Sequence, residues 1–546
     1  MKKGIKNFLS LLLIVLIIVY ILVGCSPSNS TEPQNTNKSN NSTNANNTNA
    51  DKTLKIRKKV PIASTDWEKT NDVEDMQVIW IQVFEGLYGI NEAKGGYFKE
   101  LAKDVQVSDD QLVYTISLVD ATFQNGDKLK ASDVVFSYDR AMKNSRFNYI
   151  TDMIDTVKEV DDKTVEITLK YPYAAIIHTF FSIRISSERE VTEAGEAFGT
   201  LPHTAGTGPY YISEYDPTSG IKLKANENYW KGAPNIKNVE YIHISEDSAA
   251  VIAYENKEID YMHDSPTSEW EALVAASNGN NEMIKSNSIR TLNINWQSKS
   301  NNGILGNEYV RKAILYAINK ENVMKAATNG YGVVANEFIP SDYCETSPPA
   351  SSGAFETYEY NPEKSKELLL KAGFTEEDIK KGINVGTICS YGTQTGEKAK
   401  QATVIQSNLA EVGMICDIEI ADVSIIVPRL HDFDYDMCIY GDSGNFDFNN
   451  IRQQVHSESV GSNVVNYKAD NSPLDYKRVE ELLELGVSTT DVPKRLEYYT
   501  ELWTRVMDSA TIQPLLNMPM GIVWSEAVEP GDLSPSYYHI YDFTWK

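Results

Sequence analysis

The chain has 546 residues, with 51 basic and 76 acidic side chains, a formal net charge of −25 and an apolar fraction of 41%. That length exceeds one ordinary domain. The acidic balance disfavours nucleic acid, whose binding needs Lys and Arg to displace phosphate counterions, and it disfavours an electrostatic hold on anionic lipid.

Lys2, Lys3 and Lys6 precede an apolar run, Phe8 to Val23, which closes in Leu22-Val23-Gly24-Cys25. A basic start, an apolar core and small residues at the exit predict an export signal over residues 1–24. The run is somewhat short for the ~20 residues of a spanning helix. The Leu-Val-Gly-Cys end resembles the lipobox of bacterial lipoproteins. That resemblance implies cleavage before Cys25 and acylation of Cys25, hence an anchor on the outer side of the cytoplasmic membrane.

Residues 26–50 hold 9 Asn, 5 Ser and 4 Thr and no aromatic. Such a segment buries too little apolar area to offset its ordering entropy, so 25–51 reads as a lipidated cysteine and a tether. Folded sequence is expected from 52 onward. Of the later cysteines, Cys344, Cys389, Cys416 and Cys438, no two have CxxC spacing, and the seven histidines form no HxH or HExxH pattern. No metal and no cofactor are expected. Cys389, Cys416 and Cys438 lie in apolar strand-like runs and read as small buried hydrophobes, a disulfide among them staying open.

Strand-like alternation marks 112–119, 164–170 and 239–245, and helical periodicity marks 131–142, 309–318, 398–413 and 492–508. Asn361, Pro362 and Gly373 punctuate a helix over 362–372. From 383 the order is strand, helix, strand, helix, strand (383–390, 398–412, 414–420, about 422–431, 435–440), a βαβαβ unit that calls for a parallel arrangement. The stretch 90–290 is richer in strands and hairpin turns. Two lobes follow: lobe I at 52–290 with an extra α+β subdomain at about 76–204, lobe II at 291–511, and a return to lobe I at 512–546. The apolar extended runs 290–296 and 512–524 are the expected hinge crossings. A cleft between lobes is where a buried ligand is expected.

At this point several stretches resemble the family 5 extracellular solute-binding proteins, the oligopeptide and dipeptide receptors of ABC importers. They are 82–91 (QVFEGLYGIN), 101–142, 206–234 (GTGPYYISEY to KGAP), 307–340 and 360–374. The resemblance implies an α/β, two-lobed periplasmic-binding-protein type II fold of the cluster C kind. It also implies no enzymatic step, a small solute as ligand, ABC permease subunits as partners and a monomer.

The segment YGDSGNFDF, 440–448, lies one residue from the GDSGG around trypsin-like nucleophiles. Asn445 replaces the second glycine, no upstream histidine has a catalytic context, and the α/β texture is wrong for that fold, so Ser443 is not read as a nucleophile. Peptide receptors of the resembling family carry G-W-x-x-D-x-x-x-P here, the Asp taking the ligand amine. In register, Asp442 stands at the Trp, Asn445 at the Asp and Phe448 at the Pro. Gly392 stands where dipeptide receptors place an Arg for the ligand carboxylate. Both anchors of a strict dipeptide receptor are therefore changed. The expected ligand contacts are Asp442, Ser443, Asn445, Asp447, Trp296, Tyr391 and Trp67, with helix capping as the other role of Asp447. An oligopeptide cargo is expected. An oligosaccharide or nickel chelate, or a surface peptide sensor without transport, are the alternatives.

Overall fold

The computed structural model describes residues 52–70, 72–443, 446–456 and 471–546. Asn445, Cys25 and the expected signal and tether lie outside the described residues. No helix among the described residues is long and apolar enough to cross a membrane.

One eleven-stranded mixed sheet organises the chain. Its strands in chain order are β1 (Thr53–Lys58), β2 (Tyr210–Asp216), β3 (Gly220–Ala225), β4 (Asn238–His243), β5 (Tyr261–Ser265) and β6 (Asn281–Ile294). They continue as β7 (Val333–Val334), β8 (Ile383–Tyr391), β9 (Met414–Ala421), β10 (Met437–Ser443) and β11 (Ile512–Trp524). The spatial order is β2-β3-β4-β1-β5-β11-β6-β10-β8-β9, with β7 on β11. β8 pairs in parallel with both β9 and β10, the geometry expected of the βαβαβ unit. β10 then pairs antiparallel with β6, which makes the whole sheet mixed.

The helices form at Ala131–Lys143, Glu308–Ala317, Pro362–Lys371, Glu397–Glu411, Val423–His431 and Val492–Asp508. At 362, Asn361 accepts from Lys364 N and Pro362 opens the first turn, where its missing N–H costs nothing. Gly373 follows the helix at φ +101, a conformation that favours glycine. A separate four-stranded antiparallel sheet (Ala102–Val107, Val113–Leu118, Thr164–Leu169, Ile154–Asp161) lies inside the expected extra subdomain.

Buried apolar side chains gather in two large clusters. The first draws on residues between Leu54 and Tyr261 and on the C-terminal Tyr538, Ile540 and Phe543. The second draws on residues between Ile289 and Leu516. β11 serves both: Leu515 and Leu516 pack in the second cluster and Ile522 in the first. β6 and β11, the two expected crossings, are neighbours at the middle of the sheet.

Candidate functional site

A cavity of about 380 Å³ lies beside the centre of the sheet. Irregular strands open it. β6 loses register with β11 between Lys285 and Ile289, so Ser286, Asn287 and Ser288 leave the ladder and line the cavity. β5 does the same between Met262 and Ser265, and Asp264 there has φ +54. Interrupted pairing of this kind re-aims side chains that a regular strand would hold in the sheet.

The next wall is a π-helical turn, Ile79–Val83, at the end of the helix Val73–Val78. Trp80 lines the cavity while its Nε1 donates to Trp67 O at 3.1 Å and Thr70 Oγ1 at 2.9 Å. Two buried glutamines fix the C-terminal segment here: Tyr538 N donates to Gln77 Oε1 at 2.9 Å, and Gln82 Nε2 donates to Tyr538 O at 2.8 Å. Behind the wall, the buried Arg184 guanidinium lies 4.2 Å from the Phe181 ring centroid and 3.6 Å from Glu100, its pKa pushed down to about 10 by burial.

Aromatic rings from both apolar clusters close the cavity. Phe446 meets Tyr97 edge-on at 5.5 Å and stacks on Tyr343 at 4.5 Å and 16°. The Tyr343 hydroxyl donates to Glu92 at 2.7 Å, and the same carboxylate accepts from the backbone N–H of Ser536 at 2.7 Å. Burial, then the Glu92 charge, raises the Tyr343 pKa, so this hydroxyl stays a donor. Tyr97 OH bonds His178 Nδ1 at 2.8 Å, and burial pushes that imidazole down to about 4.

The cations of the lining are already paired. Lys58 sits 2.9 Å from the buried Asp75, and Arg57 sits 2.6 Å from Asp247. These pairs hold both cations in place, which makes a pre-organised polar site with apolar walls. A second cavity of about 800 Å³ adjoins the first and is lined by residues of 145–178 and 447–487.

The expected contacts fall in several places. Trp67 is fully buried, its Nε1 on Ser186 Oγ at 3.0 Å and its ring on Trp80 and Phe147. Trp296 is half-buried against the second cluster. Tyr391 ends β8 with Lys398 Nζ 3.2 Å from its ring centroid. Asp442 and Ser443 belong to β10, opposite Ile289 and Ser288, and Asp442 accepts from Gln454 Nε2 at 2.7 Å. Asp447 caps the turn Phe448–Ile451 through Asn449 N at 2.9 Å, pairs with Arg495 at 2.6 Å and lines the second cavity. Trp67, Trp296, Tyr391, Asp442 and Asp447 do not line the first cavity; Phe446, next to Asp447 in sequence, does. An aromatic in a glycine-rich turn after a parallel strand was the available signal for it. Glu92, Tyr97 and Tyr343 carried none.

A family model described as "Bacterial extracellular solute-binding proteins, family 5 Middle" matches residues 97–458. The chain is 29% identical over 357 residues to the glutathione-binding protein GsiB of Salmonella typhi, a match covering 63% of this chain and 65% of that protein. Among solved structures, NikA from Brucella suis in complex with Fe(III)-EDTA aligns with TM-score 0.80 at 21% identity, over 91% of this chain and 100% of that one. The oligopeptide-binding protein AppA from Bacillus subtilis, in complex with a nonapeptide, aligns with TM-score 0.73 at 19% identity, over 91% and 99%.

Proposed function

The chain belongs to the bacterial extracellular solute-binding proteins of family 5, and from that premise we propose that it is a receptor that captures oligopeptides and delivers them to an ABC permease. It works outside the cytoplasmic membrane, held by lipid on Cys25. Its two lobes, 52–290 with 512–546 and 291–511, close over the cargo about β6 and β11. Closure stabilises the loaded state because the cargo touches both lobes, and the permease reads the closed shape. No bond is made or broken in the cargo.

One observation carries this reading: the cavity takes its walls from both apolar clusters, joined across it by Glu92–Tyr343 and Phe446–Tyr343. A ligand held there contacts both halves at once. Peptide cargo is favoured by the mix of aromatic walls with side-chain amides and hydroxyls, which suits varied side chains on a constant main chain. The relatives' own ligands include glutathione and a nonapeptide.

Isothermal titration of protein stripped of cargo tests it. A pool of peptides should give saturable binding, and Phe446→Ala should weaken it. Binding of an oligosaccharide or a nickel chelate with no response to peptides would remove the peptide cargo and keep the receptor.

A further inference from the structure

Cys389 on β8 and Cys438 on β10 stand directly opposite each other in a parallel ladder. In-register residues of neighbouring strands present their side chains on the same face, and the strands lie ~4.7–4.9 Å apart, inside the ~4.4–6.8 Å between Cα atoms that a disulfide spans. Both cysteines are buried thiols here, and the two thiols hydrogen-bond each other. Neither other cysteine of the folded chain meets the same condition. Glu419 is the residue of β9 opposite Cys389, so Cys416 lies three residues, roughly 10 Å, along that strand, beyond bridging distance. Cys344 lies in the irregular segment after β7, its Sγ 3.3 Å from Thr346 Oγ1, and no strand register sets it opposite a cysteine.

The surroundings of the pair are not those of inert core thiols. Asn293 of β6 is the next residue in the same row, opposite Cys438, and neither atom of its fully buried side-chain amide has a hydrogen-bond partner. The Lys398 ammonium, held over the Tyr391 ring, favours the Cys438 thiolate, against burial and the neighbouring Cys389, which raise its pKa. A cation and an unused amide donor beside a thiol favour its reaction. The ladder that holds the pair is also short. β8 and β10 pair at Ile388–Met437 and Cys389–Cys438, whereas β8 pairs with β9 from Ile383 to Tyr391. A short ladder opens more readily than a long one, and opening it exposes the thiols.

We infer that Cys389 and Cys438 are an oxidisable dithiol whose disulfide staples β10 to β8, where the central sheet has its shortest junction with the parallel unit. Each thiol gives up one proton and one electron, and the bond forms between the two Sγ atoms. A low-molecular-weight disulfide takes both electrons and both protons and leaves as two thiols, by way of a mixed disulfide on one cysteine. Closing the loop from 389 to 438 restricts the unfolded chain, so the oxidised form is the more stable one.

The full chain, reduced and then freed of reductant, tests this when exposed to hydroxyethyl disulfide while folded and, in a second arm, while refolding from urea. Refolded chain should lose two titratable thiols and two hydrogens in intact mass, and peptide mapping should join the segment of Cys389 to that of Cys438. The folded arm should reach the same product at least tenfold more slowly. Cys389→Ala and Cys438→Ala should each abolish the link, and Cys416→Ala should retain it. The thermal midpoint of the oxidised chain should exceed that of the reduced chain by about 3 °C or more. No loss of thiols in the refolding arm, a link through any other cysteine, or only mixed adducts would overturn the dithiol. A midpoint lowered by oxidation would overturn the staple.

Discussion

The Glu92 carboxylate accepts a hydrogen bond from the Tyr343 hydroxyl at 2.7 Å, joining residues 251 positions apart in the chain. Hydrogen bonds to a charged group contribute about 1.5–3 kcal/mol. This one connects two sides of the first cavity, where the proposed cargo would sit. Tyr343→Phe is expected to weaken peptide binding about tenfold with little change in the unfolding midpoint. Calorimetric titration beside thermal unfolding separates the two effects; an equal loss in both would make the bond a fold element instead.

Phe446 contacts Tyr97 and Tyr343 at once. Aromatic pairs contribute about 0.5–1.5 kcal/mol each beyond their buried area. Phe446→Ala should therefore cost on the order of tenfold or more in affinity, while Phe446→Tyr should recover most of it. If the tyrosine variant binds no better than the alanine one, ring stacking is not what the position supplies.

Asp447 and Arg495 are a buried pair, the Nη2 of Arg495 lying 2.6 Å and 2.7 Å from the two carboxylate oxygens. Leaving one member of such a pair without its partner costs about 3–5 kcal/mol. Asp447→Asn keeps the capping oxygen and loses the charge, so the expected loss is near the lower figure. Urea unfolding measures it. A change below about 1 kcal/mol would mean the pair is solvent-compensated, as exposed pairs are.

The segment around Asp447 shows how far the sequence could be read. Helix and strand positions were legible because periodicity and punctuation act locally; Asn361, Pro362 and Gly373 mark their helix without help from the rest of the fold. The fold class was legible because the βαβαβ order fixes a parallel unit. The cavity was not, because it is opened by interruptions at Ser286–Ser288 and His263–Asp264, where strand sequence looks ordinary. Which of several aromatics faces a ligand depends on partners far away in the chain. Trp67 turns inward because Ser186, 119 positions on, accepts its N–H. Asp447 is held by an arginine 48 positions on.

Acid should destabilise the folded chain through its buried imidazoles. Burial pushes His178 down to about 4 from an ordinary 6.5, with Asp447 opposing and Arg184 adding to the shift. His203, His263 and His539 are held down by burial as well. Between about pH 6.5 and 4 the unfolded chain therefore binds more protons at these sites than the folded one. Their contribution is complete above about pH 6.5 and is lost as the pH falls through that window. Thermal unfolding from pH 7.5 to 4.5 should show a falling midpoint, with a shallower slope in His178→Gln. An unchanged slope in the variant would remove His178 from the effect.

Native mass spectrometry of the full chain, stripped of cargo and then offered a mixed peptide pool, tests the central claim most directly. The expected result is a ladder of one-to-one complexes whose added masses are those of peptides, lost in Phe446→Ala. Bare protein after exposure to the pool, or complexes whose added mass is only a sugar or a metal chelate from a competing pool, would contradict a peptide receptor.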